Sequence, residues 1–239
     1  MVQLKYFGDS RDYFKYDLIQ TILEKSPLHH YVFVPMLTEH RDDNEGKKVP
    51  VDRGDKSQDL LALIKGCGCK SLKHWERWLA TCARSYLTVE PVDQTFFCDA
   101  ARASYWQKFT PLLRKDNALV FVDPDTGLQT GTPRYRQEMG PEKYILDGEL
   151  GALIETIPSS SVLMIYQHLP NNKHIHVQSV EKKLTQVRRV NSAACVCAYR
   201  EDDLAFLFVS KGQDLHQEVR SVLRGYHDGS SHPLKSLHG

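Results

Sequence analysis

The sequence predicts one three-layer α/β domain: a Rossmann-like, mainly parallel sheet with a C-terminal antiparallel hairpin. Three observations support this. Short apolar runs at Tyr31-Val-Phe-Val, Ala118-Leu-Val-Phe-Val and Val162-Leu-Met-Ile-Tyr are separated by longer stretches of helical periodicity, the pattern of strands joined by crossover helices. Two late apolar segments, 193–199 and 204–209, flank the charged turn Arg200-Glu-Asp-Asp203, which reads as a hairpin. The run at 118–122 ends abruptly at Asp123-Pro124-Asp125. Pro124 lacks the N–H that a ladder needs, so the strand stops there. Ligands of open α/β sheets bind outside the carboxyl ends of the strands. The stop therefore puts two carboxylates at the edge where such a protein keeps its chemistry.

Asp9 or Ser10 can cap a first helix that runs to about Lys25, with Pro27 just past its end. Tyr13, Phe14, Leu18, Ile19, Ile22 and Leu23 keep helical spacing along it. After the strand at Tyr31, residues 38–56 are polar and densely charged, which predicts a long loop. Helices are expected near 57–65 and 71–86, the second from the spacing of Leu72, Trp75, Leu79, Cys82 and Tyr86. Short strands near 86–90 and 95–98 precede a helix near 100–113. Helices near 147–157, 173–188 and 213–224 complete the layers. The domain is expected to span 1–226, with 227–239 a flexible tail.

Composition bounds the function. The 239 residues suffice for one sizeable core. A net charge of +1 gives no global electrostatic case for nucleic acid. Two local basic clusters remain: Lys65, Lys70, Lys73, Arg77 and Arg84, and Lys182, Lys183, Arg188 and Arg189. Each is a solvated helix face or a nucleic-acid contact. No apolar stretch is long enough to span a membrane, and Met-Val-Gln-Leu-Lys-Tyr lacks the apolar core of a signal peptide, so the expected location is cytoplasmic. Six cysteines then read as reduced thiols. Cys67-Gly-Cys69 and Cys195-Val-Cys197 lack the spacing of common zinc knuckles. The sequence leaves the oligomeric state open.

Residues 6–19, Tyr-Phe-Gly-Asp-Ser-Arg-Asp-Tyr-Phe-Lys-Tyr-Asp-Leu-Ile, resemble the opening of a group of uncharacterised bacterial and phage proteins with a Phe-Gly-Asp-x-x-Asp-x-x-Lys-Tyr pattern. Asp123-Pro-Asp-Thr-Gly127, Tyr166-Gln-His168 with Pro170, and the acidic loop 42–46 resemble further marks of that group. More distantly, Gly8-Asp9, Asp12, Lys15 and Tyr16 are similar to the Gly-Asn-x-x-Asp-x-x-Lys-His segment of ribosomal-RNA adenine-N6 methyltransferases of the RlmJ type. Asp123-Pro124 matches the first half of their Asp-Pro-Pro-Tyr motif. The late hairpin beside a parallel sheet also resembles the class I methyltransferase sheet. This resemblance implies an S-adenosylmethionine-dependent methyl transfer to a nucleic-acid base. Gly8, Asp12, Lys15 and Tyr16 would bind the cofactor; Asp123, with Asp125 and His168 beside it, would serve the target amine. The chain departs from the pattern in four ways. Tyr16 replaces the histidine. Thr126 stands where an aromatic would stack on the flipped base. Asp125 replaces the second proline. Pro35-Met-Leu-Thr38 follows the first strand in place of a glycine-rich turn.

Read directly from the residues, two other classes stay open. Asp9, Asp12, Asp123 and Asp125 form an oxygen-only set suited to Mg²⁺ or Mn²⁺. With His168 as a ligand or general acid/base, such a set can cleave a phosphodiester by metal-assisted water attack. The plainer alternatives are a helix cap at Asp9, an Asp12–Lys15 pair and a turn residue at Asp125. His174 and His176 read as solvated. The third class is a non-catalytic binding module on a methyltransferase-like scaffold. There Trp75, Trp78, Tyr105 and Trp106 line a partner surface or pack in the core.

Overall fold

The computed structural model describes residues 8–38, 49–52, 54–66, 76, 78–80, 82–88, 98–131, 140–229 and 235–239. Helix α1 covers Ser10–Lys25 and leads into strand β1, His30–Pro35. Helix α2 is Gln58–Gly66, strand β2 Ser85–Thr88 and helix α3 Arg102–Leu113. Strand β3, Ala118–Asp123, precedes two short strands, β4 (Gly127–Leu128) and β5 (Tyr144–Ile145). Helix α4 (Asp147–Thr156), strand β6 (Val162–His168) and helix α5 (His176–Val190) follow. The chain closes with β7 (Cys195–Glu201), β8 (Leu204–Ser210), helix α6 (Gln213–Gly229) and β9 (Lys235–His238).

Seven strands form one sheet in the order β2-β1-β3-β6-β8-β7-β9, and β4 pairs separately with β5. Strands β2, β1, β3 and β6 run parallel. Strand β8 lies antiparallel to β6 and β7, so β7–β8 is the expected hairpin, inserted with its second strand innermost. The chain leaves β1 toward β2 on one side and returns to β3 on the other. The order thus reverses between β1 and β3, and their carboxyl ends, Pro35 opposite Asp123, frame the crevice where ligands of such sheets sit.

Period-two alternation sorts the central strands into two chemically different faces. Tyr31, Phe33, Leu119, Phe121, Met164, Tyr166, Phe206 and Phe208 point to one side, against α1, α2 and α6. Val32, Val34, Val120, Val122, Leu163, Ile165, Leu207 and Val209 point to the other, against α3, α4 and α5. The aromatic face is continuous: Phe33 lies 5.9 Å from Phe121, and Phe121 6.2 Å from Phe206. Helix α1 packs on this face, which brings its first turns over the carboxyl edge.

Three expectations are corrected. Residues 227–229 and 235–238 are not a loose tail: α6 continues to Gly229 and β9 pairs antiparallel with β7, Tyr199 opposite Leu237; residues 230–234 lie outside the described residues. An open β7 edge offers unpaired backbone groups, and β9 satisfies them. Tyr86 belongs to β2 rather than to the preceding helix; it pairs with Tyr31 and their rings lie 5.7 Å apart. His176 is buried and its Nε2 meets the Pro170 carbonyl at 2.7 Å, whereas His174 is exposed. Most of the 38–56 loop, Cys67, Cys69, Lys70, Lys73, Trp75, Arg77 and residues 95–97 lie outside the described residues. No described helix is long and apolar enough to cross a membrane.

Residues 55–57 are anchored by a buried ion pair. Lys56 Nζ lies 3.2 Å from Glu201 Oε2, each side chain about 1% exposed. It also donates to Tyr226 Oη at 2.9 Å, and Tyr226 donates to Asp17 Oδ2 at 2.6 Å. Removing one member strands the other charge. Lys56→Met is expected to destabilise the protein by about 3–5 kcal/mol in urea denaturation. Adding Glu201→Leu to it is expected to recover most of that loss; no recovery would show that the pair is not the source.

Candidate functional site at the carboxyl edge

The site begins with a helix cap. Asp9 has extended backbone, and its Oδ1 accepts from the N–H groups of Arg11 (2.8 Å) and Asp12 (2.9 Å). Gly8 precedes it at φ +75°, a left-handed value that glycine adopts without strain, and donates its N–H to Asp12 Oδ2 at 2.9 Å. One turn on, Lys15 reaches back. Its Nζ lies 2.9 Å from Asp12 Oδ1 and 2.8 Å from Asp123 Oδ2. The ammonium also sits over the rings of Phe121 (5.7 Å) and Tyr166 (5.5 Å).

Asp9, Asp12 and Asp123 are all buried, and among the described residues Lys15 is the ammonium between them. Burial alone would lower the Lys15 pKa, but the charges of Asp12 and Asp123 overcome it and hold the lysine protonated. Burial raises the Asp123 pKa, with Lys15 opposing. Burial and the neighbouring Asp12 raise that of Asp9 to about 6. Asp123 Oδ1, Tyr166 Oη and Thr38 Oγ1 are buried with no hydrogen-bond partner among the described residues. They belong to or follow β3, β6 and β1, the three strands whose ends meet here.

The turn after Asp123 is braced on every side. Met36 N–H donates to the Asp123 carbonyl at 3.1 Å, and Thr126 N–H to that of Lys143 at 2.9 Å. Asp125 Oδ2 pairs with Lys143 Nζ at 3.2 Å. Gln167 accepts from Leu128 N–H (3.0 Å) and donates to the Thr126 and His168 carbonyls (3.2 and 2.8 Å). Gly127 sits at φ +132° directly against that Gln167 amide, leaving no room for a Cβ. From α5, Lys183 Nζ holds the carbonyls of Leu128 (2.8 Å) and Gln129 (2.7 Å). Burial lowers its pKa to about 8, with Asp147 opposing.

Beyond this turn opens a cleft of about 620 Å³, lined among others by Thr126, Tyr144, His168, Pro170, Lys182 and Arg189. His168, at the end of β6, places Nε2 3.6 Å from Asp203 Oδ2. Arg11 of α1 holds the same oxygen at 2.6 Å. Burial would raise the Asp203 pKa; the contacts of His168 and Arg11 prevail and hold it well below the usual carboxylate range.

Of the residues singled out from sequence, Gly8, Asp9, Asp12, Lys15 and Asp123 come together. Asp125 is drawn away by Lys143. His168 joins the cluster's rim through Asp203 and Arg11. Tyr16 does not face the crevice; it is fully buried, its ring 5.3 Å from that of Trp78. Trp78 is core, Tyr105 donates to the Pro35 carbonyl, and Trp106 Nε1 donates to Glu149 at 2.6 Å. Trp78 is thus core, whereas Tyr105 and Trp106 are half-buried and held by these bonds. The four acids do not fit a hard divalent cation. Asp12 has both oxygens engaged, Asp9 caps the helix, Asp125 pairs with Lys143, and Lys15 stands between Asp12 and Asp123 where a metal would bridge them. Among the described residues no group of three His, Cys, Asp or Glu is disposed to hold a metal. The bracing roles of Gln167 and Lys183, and the parts played by Arg11, Lys143 and Asp203, were not foreseen; Gln167 stood in the Tyr166-Gln-His168 motif, Lys183 in a basic cluster and Asp203 in the charged turn at 200–203, while nothing local marked Arg11 or Lys143.

The raised Asp9 pKa has a defined consequence. Between pH 4 and 6 the folded state binds a proton that the unfolded chain has already lost, so this group favours folding at low pH and opposes it above about 6. Asn keeps the helix cap and removes the charge. Asp9→Asn is expected to raise stability at pH 7.5 by on the order of 1–3 kcal/mol, with the gain vanishing by pH 4 in urea denaturation. Gly127→Ala is expected to cost about 1–3 kcal/mol at both pH values, because the turn and the Gln167 brace must both yield.

No family model, curated protein or solved structure matches this chain.

Proposed function

We propose that this chain is a methyltransferase-like protein that receives a nucleic-acid base at its carboxyl edge. The observation that carries the reading is Asp123: it ends the strand beside the sheet's reversal point and is followed by proline, and its Oδ1 has no partner among the described residues. Such an oxygen is suited to accept a hydrogen bond from an exocyclic amine. The strand order, with an antiparallel strand inserted before the last parallel one, supports the scaffold reading, since it resembles the class I methyltransferase sheet. Lys15 is the positioning group. It grips the other Asp123 oxygen and so fixes where Oδ1 points.

S-adenosylmethionine is the donor this scaffold would use, and it would supply a methyl group on a sulfonium. The site fits it in charge: among the described residues three buried carboxylates share one ammonium, which favours a further cation. The hydroxyls of Thr38 and Tyr166, with no partner among the described residues, are the polar atoms that would face it. Lys15 would act through Asp123 rather than on the cofactor, and Tyr16 would act from the core.

One observation favours a second reading, in which the scaffold binds without transferring. Met36 and Leu37 are buried where a glycine turn would let backbone approach the cofactor, and Met36 N–H is already committed to the Asp123 carbonyl. Thermal unfolding separates the two. For a methyltransferase, S-adenosylmethionine at 100 times its Kd is expected to stabilise by about 2.7 kcal/mol. Asp123→Ala should then keep much of that shift while losing methyl transfer to an oligonucleotide. A silent cofactor in a folded sample that still binds nucleic acid selects the non-catalytic module. Stabilisation by Mn²⁺ alone would overturn both in favour of metal chemistry.

A further inference from the structure

We infer that the cleft beside the 126–129 turn seats a single strand of nucleic acid, with one unpaired base stacked on His168 and the backbone laid along α5. The inference rests on the reading above and adds the form of the substrate and the groups that hold it.

Two independent features meet in this cleft. The first is its size and place. About 620 Å³ lies within the range of small-ligand sites, and the cleft opens three residues beyond Asp123, at Thr126. The second is charge. Lys182 and Arg189, picked out from the sequence as part of a basic cluster, both line its α5 wall. Both are exposed, and Lys182 makes no ion pair among the described residues. Arg189 is tied to Asp147 at 2.8 Å, but its side chain remains 69% exposed and free to take a second acceptor. An anionic occupant is therefore favoured.

Spacing favours a strand over a free nucleotide. Residues seven apart on a helix lie on nearly the same face and about 10.5 Å apart along its axis. One phosphate meets both cations only if the two long side chains turn toward each other; held extended, they match successive phosphates of a strand.

His168 supplies what Thr126 lacks. The turn carries no aromatic after Asp123-Pro124, and a base taken out of a duplex needs a flat surface to stack on. His168 is the next strand's terminal residue; its N–H donates to the Thr126 carbonyl at 2.8 Å, so the two strand ends are fixed to each other. Its side chain is 31% exposed and lines the cleft, and Asp203 and Arg11 hold it from behind. Stacking of this kind requires an unpaired base, hence a single strand rather than a duplex.

The test is fluorescence anisotropy with the full chain and 12-nucleotide RNA and DNA strands, the matching blunt duplexes, and adenosine monophosphate as competitor. Strands are expected to bind more tightly than duplexes and far more tightly than the mononucleotide. Lys182→Glu with Arg189→Glu should abolish binding. Their milder replacement by glutamine should flatten the salt dependence by about 1.4 in log–log slope. His168→Ala should weaken binding at least about fivefold, the lower end of a base–aromatic stack. His168→Phe, which keeps the ring and loses the Asp203 contact, should restore it. Equal or tighter duplex binding, a mononucleotide that competes at the strand's own affinity, or glutamate variants that bind normally would each overturn the inference. So would wild-type protein that binds no strand. The S-adenosylmethionine shift reports on the separate crevice at Asp123, so loss of either result leaves the other readable.

Discussion

Lys15 joins two parts of the chain that are 108 residues apart, and the geometry of the carboxyl edge follows from that junction. Its ammonium bridges Asp12, one turn back on the same helix, and Asp123 at the end of the central strand. In a low-dielectric interior such a bridge is strong only if the remaining valences are met. Here they are met unevenly. Asp12 is fully engaged, while Asp123 keeps one oxygen with no partner among the described residues. The same ammonium blocks the position at which a metal would join the two acids.

The bridge depends in turn on where α1 begins. Asp9 caps the helix and thereby sets which residues face the sheet: Asp12 and Lys15 fall over the edge, and Tyr13, Tyr16 and Ile19 fall into the aromatic core. A start displaced by one residue would rotate the helix by about 100° and carry Lys15 away from Asp123. Gly8 completes the arrangement by turning the chain through a left-handed conformation just before the cap.

Around this point the structure is rigid on one side and open on the other. Gln167, Lys183 and Gln186 hold the 126–129 turn by its backbone, and all three also line the cleft. Hydrogen-bonded bracing of this kind is what precise positioning of a group demands. The outer wall, α5, instead presents long cationic side chains to solvent.

Local chemistry made much of this legible in the sequence. Short runs of apolar residues located the central strands, Pro124 marked where β3 stops, and Asp9 or Ser10 announced a helix start, because each depends only on neighbours a few residues away. The gathering of Gly8, Asp9, Asp12 and Lys15 beside Asp123 was likewise foreseeable, since the four lie at the start of one helix and the strand's end fixes the fifth. The Arg11–Asp203–His168 contact, the Lys183 grip on the turn and the burial of Tyr16 were not legible. Their partners lie tens to nearly two hundred residues away, and a single sequence carries no distance between them. The last strand shows the same limit. Residues 235–238 are polar and read as a loose tail until the open edge of β7 offers them hydrogen bonds. Sequence alone determined which segments could be strands and where the acids would sit; tertiary packing decided which carboxylate oxygens are left without a partner among the described residues, Asp123 Oδ1 and Asp125 Oδ1 among them, because that depends on which side chains arrive from elsewhere.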